Sequence, residues 1–190
     1  MKKTVPVFLF FLLSGLSGAQ KPTTYDAPAF DSNRLFGTLV TTMPFGAVLY
    51  KYDGYSGPDF LKALTTEFAC KSLFLKVWAP WCRPCMEAMS TSKNTRYETR
   101  DLSLEYIYIC PDFNVSQNRW ISTVSAKKLA GLHIYISYDL WRSFLDHIGA
   151  YGGFPNYLYF DRTGKFLPGA VPHHTSTTPE LLRKLVSSPK

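Results

Sequence analysis

Residues 72–85 read Ser-Leu-Phe-Leu-Lys-Val-Trp-Ala-Pro-Trp-Cys-Arg-Pro-Cys, and they decide the architecture. From Ser72 to Trp78 the run is almost wholly apolar, which suits a strand buried on both faces. Ala79-Pro80 ends it, and a helix starting at the cysteines continues through Met86 and Met89, with Pro84 suited to the first helical turn. Unpaired backbone N–H groups and a partial positive charge at that helix start stabilise a thiolate at Cys82. Two intervening residues bring Cys85 within bonding reach. Cys82, the more exposed of the pair, is then the nucleophile toward a disulfide, and the buried Cys85 resolves the mixed disulfide.

A Cys-x-x-Cys pair has other uses. Half a zinc site would want a second pair of Cys or His at matching spacing, whereas Cys70 and Cys110 stand alone and His173-His174 are adjacent in a loop. A static disulfide across so short a loop would stabilise little. A strand before the pair and a helix after it favour the redox reading.

Outward from this centre the chain alternates. Leu35 to Tyr50 is β-rich but broken by Pro44 and Gly46, as in two strands with a turn. Ser56-Gly57-Pro58 starts a helix with Phe60, Leu61, Leu64 and Phe68 at helical spacing. Leu104 to Cys110 is a second buried strand, Trp120 to Leu129 a helix, Leu132 to Ile136 extended and Leu140 to Ile148 helical. Tyr157 to Phe160 and Lys165 to Leu167 flank the turn chemistry of Asp161 to Gly164, which predicts a hairpin. Thr177 to Glu180 has the form of a capping box opening a last helix to Val186. Alternation followed by a hairpin predicts an α/β domain: a mixed central sheet covered by helices, with extra N-terminal strands and a helix.

Two motifs carry a family resemblance. Val77 to Cys85 resembles the active-site segment of the thioredoxin superfamily, and Gly152-Gly153-Phe154-Pro155-Asn156-Tyr157-Leu158 with Asp161 to Gly164 resembles its second hallmark. The resemblance covers about Ser72 to Val186 and, with the leader and spacer, points to the TlpA/ResA-like branch. It implies a thioredoxin-like fold with a cis peptide bond at Pro155 facing the cysteines. It also implies an extracytoplasmic reductase fed by a membrane electron-transfer protein. Cys82 takes the nucleophile role and Cys85 the resolving role, while Trp81 and Pro155 frame the substrate groove. Clients would be disulfide-containing proteins, and no cofactor is implied.

The sequence departs from the pattern at three places. Lys76 stands where classical thioredoxins carry a buried acid. It would act as a cation favouring the thiolate, as a neutral amine base if desolvated, or simply snorkel to water. Ser90 replaces a helix-kinking proline, which predicts a straighter helix. Phe154 is bulkier than the usual residue before the cis-proline, so it would narrow the groove, form an aromatic patch for an apolar client or simply pack. Arg83 and Lys76 together would tune Cys82, lowering its pKa below the ~8.5 of a free thiol. Strand polarity separates Cys70 from Cys110 by ~20 Å, so both are expected to be free, buried core thiols.

Composition bounds the rest. The 190 residues are 46% hydrophobic and 16% aromatic, enough to build one real core. Lys2-Lys3, the apolar run Val5 to Leu16 and Ser17-Gly18-Ala19 read as a signal peptide cut after residue 19, with an apolar run too short to span a bilayer. Residues 20–33 form a polar spacer and 34–190 the thioredoxin-like domain. Loss of Lys2 and Lys3 lowers the net charge from +7 to +5. The remaining Lys and Arg are scattered, which argues against nucleic-acid binding. These features predict a periplasmic or otherwise extracytoplasmic monomer in a compartment where disulfides form. The alternative function is a copper-delivery module holding Cu(I) on the reduced pair. A non-catalytic interaction domain and a peroxidase fit less well, given the intact cysteines and the lack of a Thr-x-x-Cys setting.

Overall fold

The computed structural model describes residues 37–172 and 177–188. The leader, the spacer and His173-His174 lie outside the described residues. Eleven elements follow one another among those described: β1 Thr38–Met43, β2 Ala47–Tyr52, α1 Gly57–Glu67, β3 Ser72–Val77, α2 Arg83–Glu98, β4 Leu104–Pro111, α3 Gln117–Lys127, β5 Gly131–Ile136, α4 Tyr138–Ile148, β6 Asn156–Phe160 and α5 Pro179–Ser187.

One six-stranded sheet runs β1-β2-β5-β4-β3-β6. The four inner strands are mutually parallel, and β1 and β6 close the two sides antiparallel. On the outer strand β1 the register slips between Leu39 and Thr41, leaving Val40 as an extra residue against β2.

The alternation of side chains along β3 sorts the core into two layers. Leu73, Leu75 and Val77 join Ile107, Ile109, Ile134 and Leu158 under α1 and α4, which supply Phe60, Leu64, Trp141 and Phe144. Phe74, Lys76 and Trp78 face the opposite side, under α2, α3 and α5. On the first side the helices touch closely. Gly57 donates its backbone N–H to Ser143 Oγ at 3.0 Å, and a Cβ there would lie 2.4 Å from the Ser143 carbonyl oxygen. Glycine at the first position of α1 lets it seat on α4.

Helix starts follow side-chain caps. Ser56, Ser116, Ser137 and Thr178 each accept an N–H from the third residue on. The last helix corrects the capping-box reading by one residue. Pro179 takes the first helical position, so the cap is Thr178 and not Thr177. The predicted second limb of the late hairpin shrinks to a single bridge, Phe160 with Phe166. Asp161 Oδ1 accepts the N–H groups of Thr163 and Lys165, so the turn itself forms. Pro168 follows at once and cannot donate to a longer ladder.

Candidate active site

The carboxyl ends of β3, β4 and β5 open onto one rim of the sheet. Antiparallel β6 begins at that rim, because Asn156 pairs with Val77, the last residue of β3. The loops carrying Cys82, Phe113 and Phe154 therefore converge by topology, at the position where open α/β sheets place their sites.

Cys82 is the N-cap of α2, and its Sγ accepts the Cys85 backbone N–H at 3.2 Å. A disulfide joins Cys82 to Cys85, with Cα atoms 5.2 Å apart. Both cysteines are buried in this state, at 4% and 2% exposure. The expected contrast between an open Cys82 and a closed Cys85 is thus absent from the oxidised form, where the bond draws the two sulfurs under the same cover. What distinguishes Cys82 is its cap position, which points a helix N–H at its sulfur and supports negative charge there.

Phe154–Pro155 is a cis peptide bond, as the family resemblance implies. Asn156 holds this loop, donating from its side chain to the Tyr151 carbonyl at 2.9 Å. Pro155 lines a small pocket of about 10 Å³ behind the disulfide, together with Cys85, Met89, Ser92, Lys76 and Tyr157. On the outer side Trp81 is 40% exposed. Its ring meets Phe154 edge-on at 5.1 Å and Phe113 at 6.0 Å, and its indole N–H donates to the Phe113 carbonyl at 2.9 Å. Tyr138 extends this aromatic rim, 4.8 Å from Phe113.

Lys76 does not snorkel. Its side chain is 7% exposed, and its ammonium nitrogen donates to Ser92 Oγ at 2.6 Å. The rings of Phe74 and Tyr157 lie 5.2 and 5.8 Å from the same nitrogen. Burial, and then the positive charge of Arg96, push its pKa down to about 7.

The solved structures with this arrangement are consistent in kind. The thioredoxin domain of a thiol-disulfide oxidoreductase from Bacteroides vulgatus matches with a TM-score of 0.54 and 16% identity, over 64% of this chain and 84% of that one. A thioredoxin-family thiol:disulfide interchange protein from Chlorobium tepidum matches at 0.51 and 15%, over 63% and 82%. A thiol:disulfide interchange protein from Bacteroides sp. matches at 0.50 and 16%, over 63% and 73%. No protein-family model and no curated protein matches the chain. At this identity the likeness establishes the fold. The chain has the thioredoxin-like fold.

Within that fold, Cys82, Cys85, Trp81, Phe154, Pro155 and Lys76 come together, and Arg83 points away. Its guanidinium is 90% exposed and pairs with Glu87 at 2.9 Å, one helical turn on. An exposed pair of this kind carries little energy. Cys110 is buried as expected, its thiol held protonated by burial and by Asp112. Cys70 is not in the core: it is exposed, in a left-handed turn at φ 65° before β3. Both are free thiols.

Sequence reading missed Ser92, Phe113 and Tyr138. Ser92 carried a signal, since Cys85, Met89 and Ser92 fall at i, i+4 and i+7 and all are buried on one stripe of α2. Phe113 and Tyr138 follow the ends of β4 and β5, where the topology puts site residues.

Proposed function

We propose that this protein is an extracytoplasmic thiol-disulfide oxidoreductase that reduces protein disulfides through Cys82 and Cys85. The observation that carries the reading is the cysteine pair at the start of α2, with the Cys82 sulfur capping the helix, the cis-proline loop behind it and an open aromatic rim beside it. The fold relatives described above are themselves oxidoreductases or interchange proteins by name.

In the reduced protein the Cys82 thiolate attacks one sulfur of a client disulfide. The client's S–S bond breaks, one client thiolate leaves and takes a proton, and a Cys82–client disulfide forms. The Cys85 thiolate then attacks the Cys82 sulfur and expels the second client thiolate. Two electrons have passed to the client, and the Cys82–Cys85 disulfide is left. Trp81, Phe154 and Pro155 hold the client segment at the rim. A membrane-bound electron donor would return the protein to the dithiol. The leader sequence supports the extracytoplasmic site of action, and among the described residues no helix is long and apolar enough to cross a membrane.

The test is an insulin-reduction assay beside a trapping experiment. Cys82→Ser should abolish turnover, whereas Cys85→Ser should accumulate mixed disulfides with clients. Full multiple turnover by Cys85→Ser would overturn the resolving role. The redox state trapped in living cells gives the direction, and a pool that is mainly oxidised would make the protein an oxidant. Copper delivery has one observation in its favour, the Met89 thioether beside Cys85 in the pocket. Stoichiometric copper on the purified reduced protein, without insulin reduction, would establish it instead.

A further inference from the structure

Three neighbouring strands each end in an aromatic ring at the rim. Trp81 follows β3, Phe113 follows β4 and Tyr138 follows β5, and these strands lie side by side in that order. The rings of adjacent strands meet, Trp81 with Phe113 at 6.0 Å and Phe113 with Tyr138 at 4.8 Å. The loop that carries Phe113 is tied down on both sides of the ring. Asp112 donates its N–H to the Ile136 carbonyl at 2.9 Å, and its Oδ1 accepts the Tyr138 N–H at 2.7 Å. Val115 donates its N–H to the Asp112 carbonyl at 3.1 Å, and the Tyr135 hydroxyl donates to the Val115 carbonyl. Phe113 itself remains 40% exposed. An apolar ring held in water on a fixed backbone docks a partner with little further ordering.

We propose that Phe113 and Tyr138 form a specificity subsite for an apolar side chain of an extended client segment, about four residues from the client cysteine and on one side of it only. This rests on the reading of Cys82 and Cys85 as the exchange centre.

The sheet sets the distance. Trp81 adjoins Cys82, and from β3 to β5 is two strand spacings, roughly 10 Å, which extended chain covers in about three residues. Side chains alternate along such a segment, so the fourth residue faces the rim as the cysteine does. The sheet also sets the side. On the other flank of β3, β6 is the last strand among the described residues, and the row stops at Phe154. On this flank β2 lies beyond β5 and adds Tyr55, 85% exposed, in the loop that follows it.

The charges beside the row favour an apolar occupant. Asp112 is spent on the Tyr138 N–H, and Asp139 lies in the first turn of α4, where the helix dipole answers it. Lys51 pairs with Asp53 at 2.6 Å and Arg83 with Glu87 at 2.9 Å.

The experiment gives the reduced protein Gly/Ser peptides whose single central cysteine carries glutathione in disulfide linkage. It follows the second-order rate at which that disulfide is consumed, with one leucine moved through the positions on either side of the cysteine. Leucine at the fourth residue on one side should raise the rate about three- to tenfold over the all-polar peptide, and stay within about twofold of it at the mirror position. In Phe113→Ser and in Tyr138→Ser that ratio should fall to about one. Each variant is compared with its own all-polar peptide, so a general loss of activity or of folded protein cancels. Equal rates at every position in the wild type overturn the proposal, as does the same gain on both sides, a ratio kept by both variants, or an equal gain from glutamate or lysine. A dimer in sedimentation that Phe113→Ser dissolves, with equal peptide rates, gives the rings to a second copy of the chain and also overturns it. If peptides of every kind are reduced alike, the exchange reading stands and this inference falls; if none is reduced, both fall.

Discussion

The Lys76 nitrogen sits 2.6 Å from Ser92 Oγ, and this contact joins the inner strand β3 to the helix that begins at the cysteines. One neutral hydroxyl is thin compensation for an ammonium removed from water. The folded pKa, about 7, lies below the ordinary lysine value of 10.5. Between those two pH values the unfolded chain holds a proton that the folded chain releases, so stability should rise with pH across that window. Below about pH 7 the cost is fully present. Lys76→Met should therefore stabilise the oxidised protein at neutral pH by a few kcal/mol, and by much less near pH 10. Urea denaturation of both proteins at the two pH values checks this.

His133 has the same sign of dependence in the acid range. It is fully buried between Tyr108 and Trp78, and its Nε2–H donates to the Leu129 carbonyl at 2.7 Å. Burial pushes its pKa from 6.5 down to about 3. Between these values the unfolded chain binds the extra proton, so acidification should cost stability from about pH 6.5 downward, up to a few kcal/mol. His133→Phe should flatten that part of the pH–stability curve.

How much of this could be read from the sequence depended on whether a local rule was left to act alone. The β3 run and the helix after Cys82 were legible because apolar continuity and helix-terminus chemistry act locally, whereas the cis bond at Pro155 came from the family resemblance of its loop. Cys70 was misread because nothing in Ala69-Cys70-Lys71 marks a left-handed residue, a conformation usually signalled by Gly or Asn. The three readings of Lys76 were separable only by what lies above it, namely Ser92 and Arg96 on a helix that the sequence places but does not dock. Phe113 and Tyr138 needed strand order, which appears only once the sheet is assembled.

Phe154 touches Trp81 at the rim and lies outside the cysteine pocket. Phe154→Ala should raise the KM for a protein disulfide by about two- to tenfold, the loss expected of one aromatic contact. Its rate with glutathione disulfide should stay within about twofold, since a small substrate does not span the rim. An equal loss on both substrates would assign Phe154 to the chemistry and not to docking.

Gly57→Ala places a methyl group 2.4 Å from the Ser143 carbonyl oxygen and 2.5 Å from the Phe144 backbone. Backbone cannot rotate out of the way as a side chain can, so α1 must lift from α4. The expected loss is about 1–3 kcal/mol, seen as a lower thermal midpoint with unchanged exchange activity per folded molecule.

In the native oxidised protein a thiol reagent should modify Cys70 rapidly and leave Cys110 untouched. Unfolding without reductant should then reveal one further thiol. Mass spectrometry counts both. Two disulfides per chain would contradict the free state of both residues.

The extra residue on β1 has a bearing on how the protein avoids sticking to other chains. Among the described residues Thr38 to Met43 is an outer strand rich in β-formers, and a straight one would offer that edge to any passing chain. The slip at Val40 breaks the even spacing of that edge, so a second strand cannot zip along it. A single residue out of step thus keeps this margin from becoming a seed for aggregation.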